Sequence, residues 1–459
     1  MSRMATSILD PLQGSLLGFL TQRGLATSNE LQALTGKSQP TVSRALAGLS
    51  AQGVVTLGRG RATRYGLCRP ILGVRSGQQA VWRYGMHGNM ERWGTLTWLA
   101  GEQIHVQAQG MEWLVKGELP WFLAPLRMEG FLGRLLARRS HVSTLVGDDP
   151  SRWGVEQQLY VATSQVHDAP GAMTLGSPEG PGAIEPAPTD DAARSLHYDR
   201  IAANVADHLP AGSSAAGEQA KFLVNRRTAG AGQTAEWEWL LVKFTPPRGT
   251  PFGERWNDLL HAEALALATL ADAGEPVARA RVLSSGRRTY LESVRFDRIG
   301  GHGRRHAVPL WAVHKAFVNG PSNERWTSTC DELERQKRLS AEDAQRVRLW
   351  RLFGNLIGNN DMHAGNLSLW ADDPRSGRFT LAPCYDMLPM AYKPEPVRED
   401  FGPTPLTFSR PPVVDPQAWT QARALALRFW HQLGQHEGCS AEWRAVASEN
   451  ARRIDILQA

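Results

Sequence analysis

The stretch Gly358-Asn359-Asn360-Asp361-Met362-His363-Ala364-Gly365-Asn366-Leu367 decides how this chain is read. It sets a carboxylate, Asp361, five residues before an amide, Asn366, and a second carboxylate, Asp386, follows twenty residues later. That is the spacing of a phosphotransfer site. In such sites the first Asp accepts or orients the proton of an attacking hydroxyl, while the Asn and the second Asp hold magnesium on nucleotide phosphates. Mg²⁺ prefers hard oxygen donors and keeps several waters, so an amide oxygen and one carboxylate suit it. An Asp-x4-Asn pair alone arises about once by chance in a chain of this length. Its setting makes it informative. An apolar helix, Leu349 to Ile357, precedes it, and a strand, Leu367 to Trp370, follows. A second strand, Phe379 to Ala382, then runs into Pro383-Cys384-Tyr385-Asp386. Strand ends and loops are where such ligands converge. His363 lies in the same loop as either a phosphate contact or a hydrogen-bonder of the loop itself.

A bound nucleotide also needs a cationic clamp. Lys243 follows three aliphatic residues in Leu240-Leu241-Val242-Lys243-Phe244, as a phosphate-pairing lysine does at a strand end. Glu263, early in the helical run His261 to Ala273, can pair with it, because a buried lysine needs an opposite charge to stay protonated. The segment Gly212-Ser213-Ser214-Ala215-Ala216-Gly217-Glu218-Gln219-Ala220-Lys221 is built largely of small residues and precedes the strand Phe222-Leu223-Val224. The backbone amides of Ala216, Gly217, Glu218, Gln219, Ala220 and Lys221 are candidates to cradle phosphates.

Toward the N-terminus the character changes. Residues 8–70 predict a winged helix-turn-helix. Thr27-Ser28-Asn29-Glu30 is a capping box that opens a second helix, and Gly36 can close it in a left-handed conformation. Ser38 caps a third helix whose buried stripe is Val42, Ala45, Leu46 and Leu49. Val54 to Leu57 and Thr63 to Leu67 then form strands around Gly58-Arg59-Gly60-Arg61, the expected wing. A recognition helix enters the major groove by its N-terminal residues, here Gln39, Thr41, Ser43 and Arg44. Arg59 and Arg61 suit a phosphate or minor-groove contact.

Charge agrees with that division. The chain of 459 residues has a net charge of +6. Residues 1–75 hold nine Lys/Arg against two acids, a net of +7, and the remainder holds 42 against 43. The whole positive excess therefore sits on the N-terminal module, the footprint of a polyanion partner. A hydrophobic fraction of 42% supports real cores, and the length suggests two to four domains. No run of eighteen apolar residues predicts a membrane span. The first ten residues lack the pattern of a signal peptide. Cys68, Cys330, Cys384 and Cys439 are far apart and form no CxxC, which argues against a disulfide framework and a cysteine zinc site and fits a reducing cytoplasm.

Between these ends, residues 76–166 predict a small α+β unit. Its strands would be at Trp82 to Gly85, Thr95 to Leu99 and Ile104 to Val106, with a helix from Trp121 to Arg138. From His167 to about Ala193 the chain is rich in Pro, Gly, Ala and acids and predicts a linker or mobile insertion. Two helices are expected at the end, Pro416 to Gly434 and Ser440 to Leu457.

Five motifs, in order, resemble the HipA family of serine/threonine kinases, the toxin halves of toxin–antitoxin pairs. They are Ser214-Ala215-Ala216-Gly217-Glu218-Gln219-Ala220-Lys221, Leu241-Val242-Lys243-Phe244, Arg295-Phe296-Asp297-Arg298, Asp361-Met362-His363-Ala364-Gly365-Asn366 and Tyr385-Asp386. The resemblance implies an α+β, bilobal protein-kinase-like fold, here preceded by the small winged helix-turn-helix domain. It divides the chain into a DNA-binding domain at 1–72, an α+β subdomain with linker at 73–185, a kinase N-lobe at 186–310 and a helical C-lobe at 311–459. It implies ATP and Mg²⁺, with Arg295 and Phe296 along the adenine and Tyr385 beside the nucleotide. It implies phosphorylation of a protein of translation, such as an aminoacyl-tRNA synthetase, and autophosphorylation of Ser214, with Ser213 a second acceptor. Glu218 and Ala220 depart from the family's alternating loop. Fusion of the DNA reader to the kinase also departs from the usual plan, in which a separate antitoxin binds the operator. It points to regulation in cis, with a separate antitoxin and a homodimer both open. Two other readings stay open: a transcription regulator with a catalytically silent kinase-like sensor, and a small-molecule phosphotransferase.

Overall fold

The computed structural model describes residues 9–58, 60, 63–139, 143–164, 168–177, 186–207, 219–228, 236–318, 325–394, 402–412 and 415–457. The N-terminal module consists of α1 (Pro11–Arg23), β1 (Leu25–Thr27), α2 (Ser28–Thr35), α3 (Gln39–Gly48), β2 (Val54–Leu57) and β3 (Arg64–Leu67). The capping box forms as expected: Thr27 Oγ1 accepts from the Glu30 amide, and the Glu30 carboxylate accepts from the Thr27 amide at 2.8 Å. Gly36 closes α2 at φ +64°. Ser38 stands at the N-cap of α3, but its hydroxyl bonds Thr41 Oγ1 at 3.0 Å instead of capping the backbone. The sheet order is β1-β3-β2, and Leu16, Leu20, Leu31, Val42 and Leu46 form the core beneath it.

This module does not hang free. Cys68 bridges Leu99 in a β-pair, Arg69 donates to the Trp98 carbonyl at 3.0 Å, and Ala100 enters the winged-helix core. Gly24, at φ +77°, fits so closely that a Cβ there would lie 1.9 Å from the Ala100 carbonyl oxygen.

The next unit is a five-stranded antiparallel sheet built from β4 (Gln78–Tyr84), β5 (Met90–Leu99), β6 (Gln103–Ala108), β7 (Met111–Lys116) and β8 (Met173–Leu175), in the order β7-β6-β5-β4-β8. The helix expected from Trp121 to Arg138 is broken. Trp121–Leu126 is a 3₁₀ turn containing Pro125, and the α-helix α4 begins at Gly130 (Gly130–Arg139). Proline offers no amide to continue the ladder, and Gly130 adopts φ +64°. The short α5 (Ser143–Val146) and α6 (Val155–Ser164) follow. The expected linker is also partly built into the fold. Residues Met173–Leu175 pair with β4, with Val81 opposite Leu175, and Asp168 is buried. The segment carries too short an apolar pattern to reveal a strand, and ion pairs hold it in place.

Helix α7 (Asp191–Asp207) leads into a four-stranded sheet of β9 (Lys221–Thr228), β10 (Glu236–Phe244), β11 (Ala280–Ser284) and β12 (Thr289–Val294), ordered β11-β12-β10-β9. Helix α8 (Pro251–Asp272) connects β10 to β11. It runs ten residues further back than its apolar pattern suggests, capped by Thr250 with Pro251 in the first turn. After the small hairpin of β13 (Arg298–Ile299) and β14 (Gly303–Arg304) comes β15 (Ala307–Pro309). It pairs with β16 (Ser368–Trp370), which pairs with β17 (Thr380–Leu381) in the register Leu369 to Leu381. The helical lobe contains α9 (Leu310–Phe317), α10 (Trp326–Arg335), α11 (Ala341–Leu356), α12 (Pro416–Gly434) and α13 (Ala441–Asp455).

One continuous apolar core joins the five-stranded unit to the helical lobe. Trp121 meets Phe317 and Phe379 across that boundary, with ring centroids 5.4 and 5.3 Å apart. The four-stranded sheet has a separate core that borrows Phe131 and Leu135 from α4 and Tyr198 from α7. The molecule is thus an α+β, two-lobed body with a winged helix in front. Among the described residues, no helix is long and apolar enough to cross a membrane.

Candidate active site

Alternation along β10 explains how a lysine comes to be buried. Leu240, Val242 and Phe244 point into the sheet's core, which leaves Lys243 on the opposite face, beneath α8. Its side chain is 5% exposed. Nζ donates to both Glu263 carboxylate oxygens at 2.6 and 2.7 Å and to Asp386 Oδ1 at 2.5 Å. Burial alone would lower the lysine's pKa, but Asp386 and Glu263 outweigh it and hold the ammonium above its ordinary value. Burial likewise pushes Asp386 upward, yet Lys243 and Lys221 prevail and keep its carboxyl below the usual range. For Glu263 burial wins, and its carboxyl lies above the usual range. Lys221 lies opposite Lys243 in the β9–β10 register.

The loop carrying Asp361 and Asn366 is tied to Asp386 by two side chains. Asn359, 3% exposed, donates to the Asp386 carbonyl at 3.2 Å and accepts from the Asp361 amide at 3.0 Å. The Tyr385 hydroxyl donates to the Gly365 carbonyl at 3.0 Å and meets Ser368 Oγ at 2.9 Å. Asp386 itself sits at φ +51°, a left-handed conformation for a non-glycine residue. Strain of that kind concentrates at functional positions. Trp326 donates to the His363 carbonyl at 2.7 Å and Arg351 to the Met362 carbonyl at 2.9 Å, which fixes the loop from outside.

Within the loop, Asn366 donates its amide hydrogen to the Asp361 carbonyl at 2.9 Å, which leaves its own amide oxygen as an acceptor for a cation. The Asp361 side chain is half exposed, and His363 Nε2 lies 3.9 Å from its carboxylate. His363 Nδ1 accepts from the Gly365 amide at 3.0 Å, so the loop itself engages this histidine. Among the described residues, no group of three His, Cys, Asp or Glu side chains could hold a metal. The Asn366 amide oxygen and the Asp386 carboxylate are hard oxygen donors of the kind Mg²⁺ takes.

The remaining predicted residues divide. Phe296 packs against Tyr385, with ring centroids 5.6 Å apart, and against Trp370 at 5.5 Å. The Arg295 guanidinium, 8% exposed, is engaged by Asp168 and Asp297. Gln219 donates to the Phe244 carbonyl at 2.6 Å, and the Ala220 carbonyl accepts from the Phe244 amide. Ser213, Ser214, Ala216, Gly217 and Glu218 lie outside the described residues, as do Arg59 and Arg61. On α3, Gln39, Ser43 and Arg44 are exposed, and Thr41 is half-buried.

Sequence reasoning missed Asn359, Ser368 and Asp168. Asn359 is one of two adjacent asparagines, and only its burial separates it from Asn360. Asp168 had no signal, because its partners lie more than a hundred residues away. A separate cavity of about 550 Å³ between β7 and α9, lined by Trp113, Trp121, Trp311 and Phe317, contains none of the predicted catalytic residues.

Comparison with known proteins gives a consistent result along the chain. Residues 213–448 match the HipA-like C-terminal domain, residues 75–180 the YjjJ-like toxin middle domain, and residues 9–64 the MarR family. The chain is 33% identical over 450 residues to Toxin YjjJ of Escherichia coli strain K12, covering 96% of this chain and 97% of that protein. Among solved structures, it is similar to a chain of the Shewanella oneidensis MR-1 toxin–antitoxin complex of HipA, HipB and operator DNA. That likeness has 15% identity and a TM-score of 0.46, and covers 81% of this chain and 95% of that one. It is also similar to the Helicobacter pylori proinflammatory kinase CtkA, at 12% identity and a TM-score of 0.32, covering 50% and 91%.

Proposed function

The chain belongs to the HipA-like toxin family, and from that premise we propose that it is an ATP-dependent serine/threonine protein kinase with a DNA-binding winged helix in cis. The observation that carries this reading is the Lys243 ammonium, bound between Glu263 and Asp386 beside a loop bearing Asp361 and Asn366. A lysine held by a glutamate beside a loop with this Asp and Asn is the arrangement that pairs with nucleotide phosphates. Asn366 and Asp386 are the residues that would hold Mg²⁺, whose chemistry is to neutralise phosphate charge.

In the proposed reaction, Asp361 accepts the proton of a substrate serine or threonine hydroxyl. A bond forms between that oxygen and the γ-phosphorus, the bond to the β-phosphate oxygen breaks, and ADP leaves with its charge. Lys243 orients the phosphates, and Glu263 holds Lys243. Phe296 and Tyr385 supply an apolar wall for the base, and the 216–221 segment supplies backbone donors. The exposed half of the Asp361 side chain leaves room for a protein substrate to approach.

The proposed substrate is a protein of translation such as an aminoacyl-tRNA synthetase, with autophosphorylation at Ser214 or Ser213, and family membership supports both. Duplex DNA would meet Gln39, Thr41, Ser43 and Arg44, with Arg59 and Arg61 on the wing. An antitoxin partner and a homodimer belong to the same proposal. The test is incubation of the purified chain with Mg²⁺, labelled ATP and a cell lysate, followed by mass spectrometry. Label on one lysate protein and on Ser213 or Ser214 supports the reading, and absence of any ATP-dependent label refutes it.

A further inference from the structure

The segment Arg295-Phe296-Asp297-Arg298 follows β12 of the four-stranded sheet and leads through β13 and β14 to β15, which pairs with β16. Its two arginines are held by an acid from a distant part of the chain. Asp168 Oδ1 accepts from Arg298 Nη2 at 2.5 Å, and Asp168 Oδ2 accepts from Arg295 Nη1. Asp297 completes the ring: it receives Arg295 Nε at 3.1 Å, Arg298 Nη1 at 2.6 Å and the Gly171 amide at 2.8 Å. Arg298 also donates to the carbonyls of Ala169 at 2.7 Å and Gly171 at 3.1 Å. Arg304 approaches Asp168 at 3.9 Å. The four principal side chains are between 3% and 8% exposed.

These bonds bracket Phe296. Its ring lies against Tyr385, whose hydroxyl fixes the Gly365 carbonyl in the catalytic loop and whose neighbour is Asp386. We propose that Asp168 is a positioning residue for nucleotide binding: by cross-bracing Arg295 and Arg298 it sets the placement of Phe296 against Tyr385. Without its charge, two buried guanidiniums would share Asp297 alone and repel one another, and the segment would relax. The segment 168–177 would thus act on the cleft from outside either kinase lobe.

This inference rests on the reading of the cleft as an ATP site, and the experiment separates the two. Binding of Mg-ATP is measured by titration calorimetry on the full chain for wild type and Asp168→Asn, which keeps shape and loses charge. The apparent KM for ATP and the plateau labelling rate are measured alongside. The expected result is a Kd and KM at least about tenfold weaker, with a plateau rate within about threefold of wild type. A purely structural brace would lower the melting temperature but leave the Kd of the folded molecules unchanged. Arg298→Lys, which keeps the charge but loses the forked contact, should weaken binding in the same direction and serves if Asp168→Asn does not fold. Wild-type binding with either folded variant within about twofold overturns the positioning role. Wild type that binds no Mg-ATP overturns the ATP-site reading instead.

Discussion

Lys243 has three carboxylate oxygens within hydrogen-bonding distance and no room for water around most of its ammonium. Such a group is stable only while its partners remain. Replacing Glu263 with Gln should cost about 1–3 kcal/mol in a urea unfolding experiment, since the buried ammonium loses one carboxylate partner to a neutral amide. It should also lower ATP-dependent labelling at least tenfold by leaving the Lys243 ammonium with Asp386 as its one charged partner. Equal labelling in both proteins would show that the pair is merely structural. This pair was legible in the sequence because a lysine in an aliphatic strand followed by a glutamate in an alanine- and leucine-rich helix leaves few other solutions. The clamp through Asn359 was not, because its role depends on which of two adjacent asparagines turns inward.

At the level of elements, the joint between β8 and β15 contains a buried titratable group. His306, 2% exposed, accepts from the Ala172 amide through Nδ1 at 3.1 Å and donates through Nε2 to the Phe122 carbonyl at 3.0 Å. Both ring nitrogens are satisfied only in the neutral form. Burial, the larger effect, depresses its pKa from 6.5 to about 4 despite the Phe122 carbonyl. The stability this contributes is full above pH 6.5 and is lost as pH falls through about 4, because the unfolded chain takes up the proton first. The loss over that window is on the order of 3 kcal/mol. His306→Gln should flatten the dependence of the urea midpoint on pH between 6.5 and 4, and an unchanged slope would assign it to other groups such as His261, which is also depressed to about 4. Most helices and strands could be read from period and caps alone. Among the exceptions, Pro125 broke a helix, β7 on the sheet edge had a mixed pattern, β8 is three residues long, and α7 went unread after the Pro- and Gly-rich stretch.

Over the whole molecule, the winged helix is joined by backbone pairing to a sheet that shares its core with the helical lobe. The winged helix and the two lobes are therefore parts of one packed body, which composition had suggested only as a charge boundary near residue 75. Arg44, exposed on α3, should carry one phosphate contact. Arg44→Ala should weaken duplex binding and reduce the slope of log affinity against log salt by about one. A slope identical to wild type would move the contact to another face.

In the proposed reaction Asp361 serves the chemical step, while Lys243 and Asp386 serve binding. This division of roles is tested most directly by single-turnover transfer of labelled phosphate in wild type and Asp361→Asn, with the Mg-ATP affinity of each measured in parallel. The rate in the variant should be at least about a hundredfold lower, at nearly unchanged affinity. Equal rates in the two proteins would contradict it.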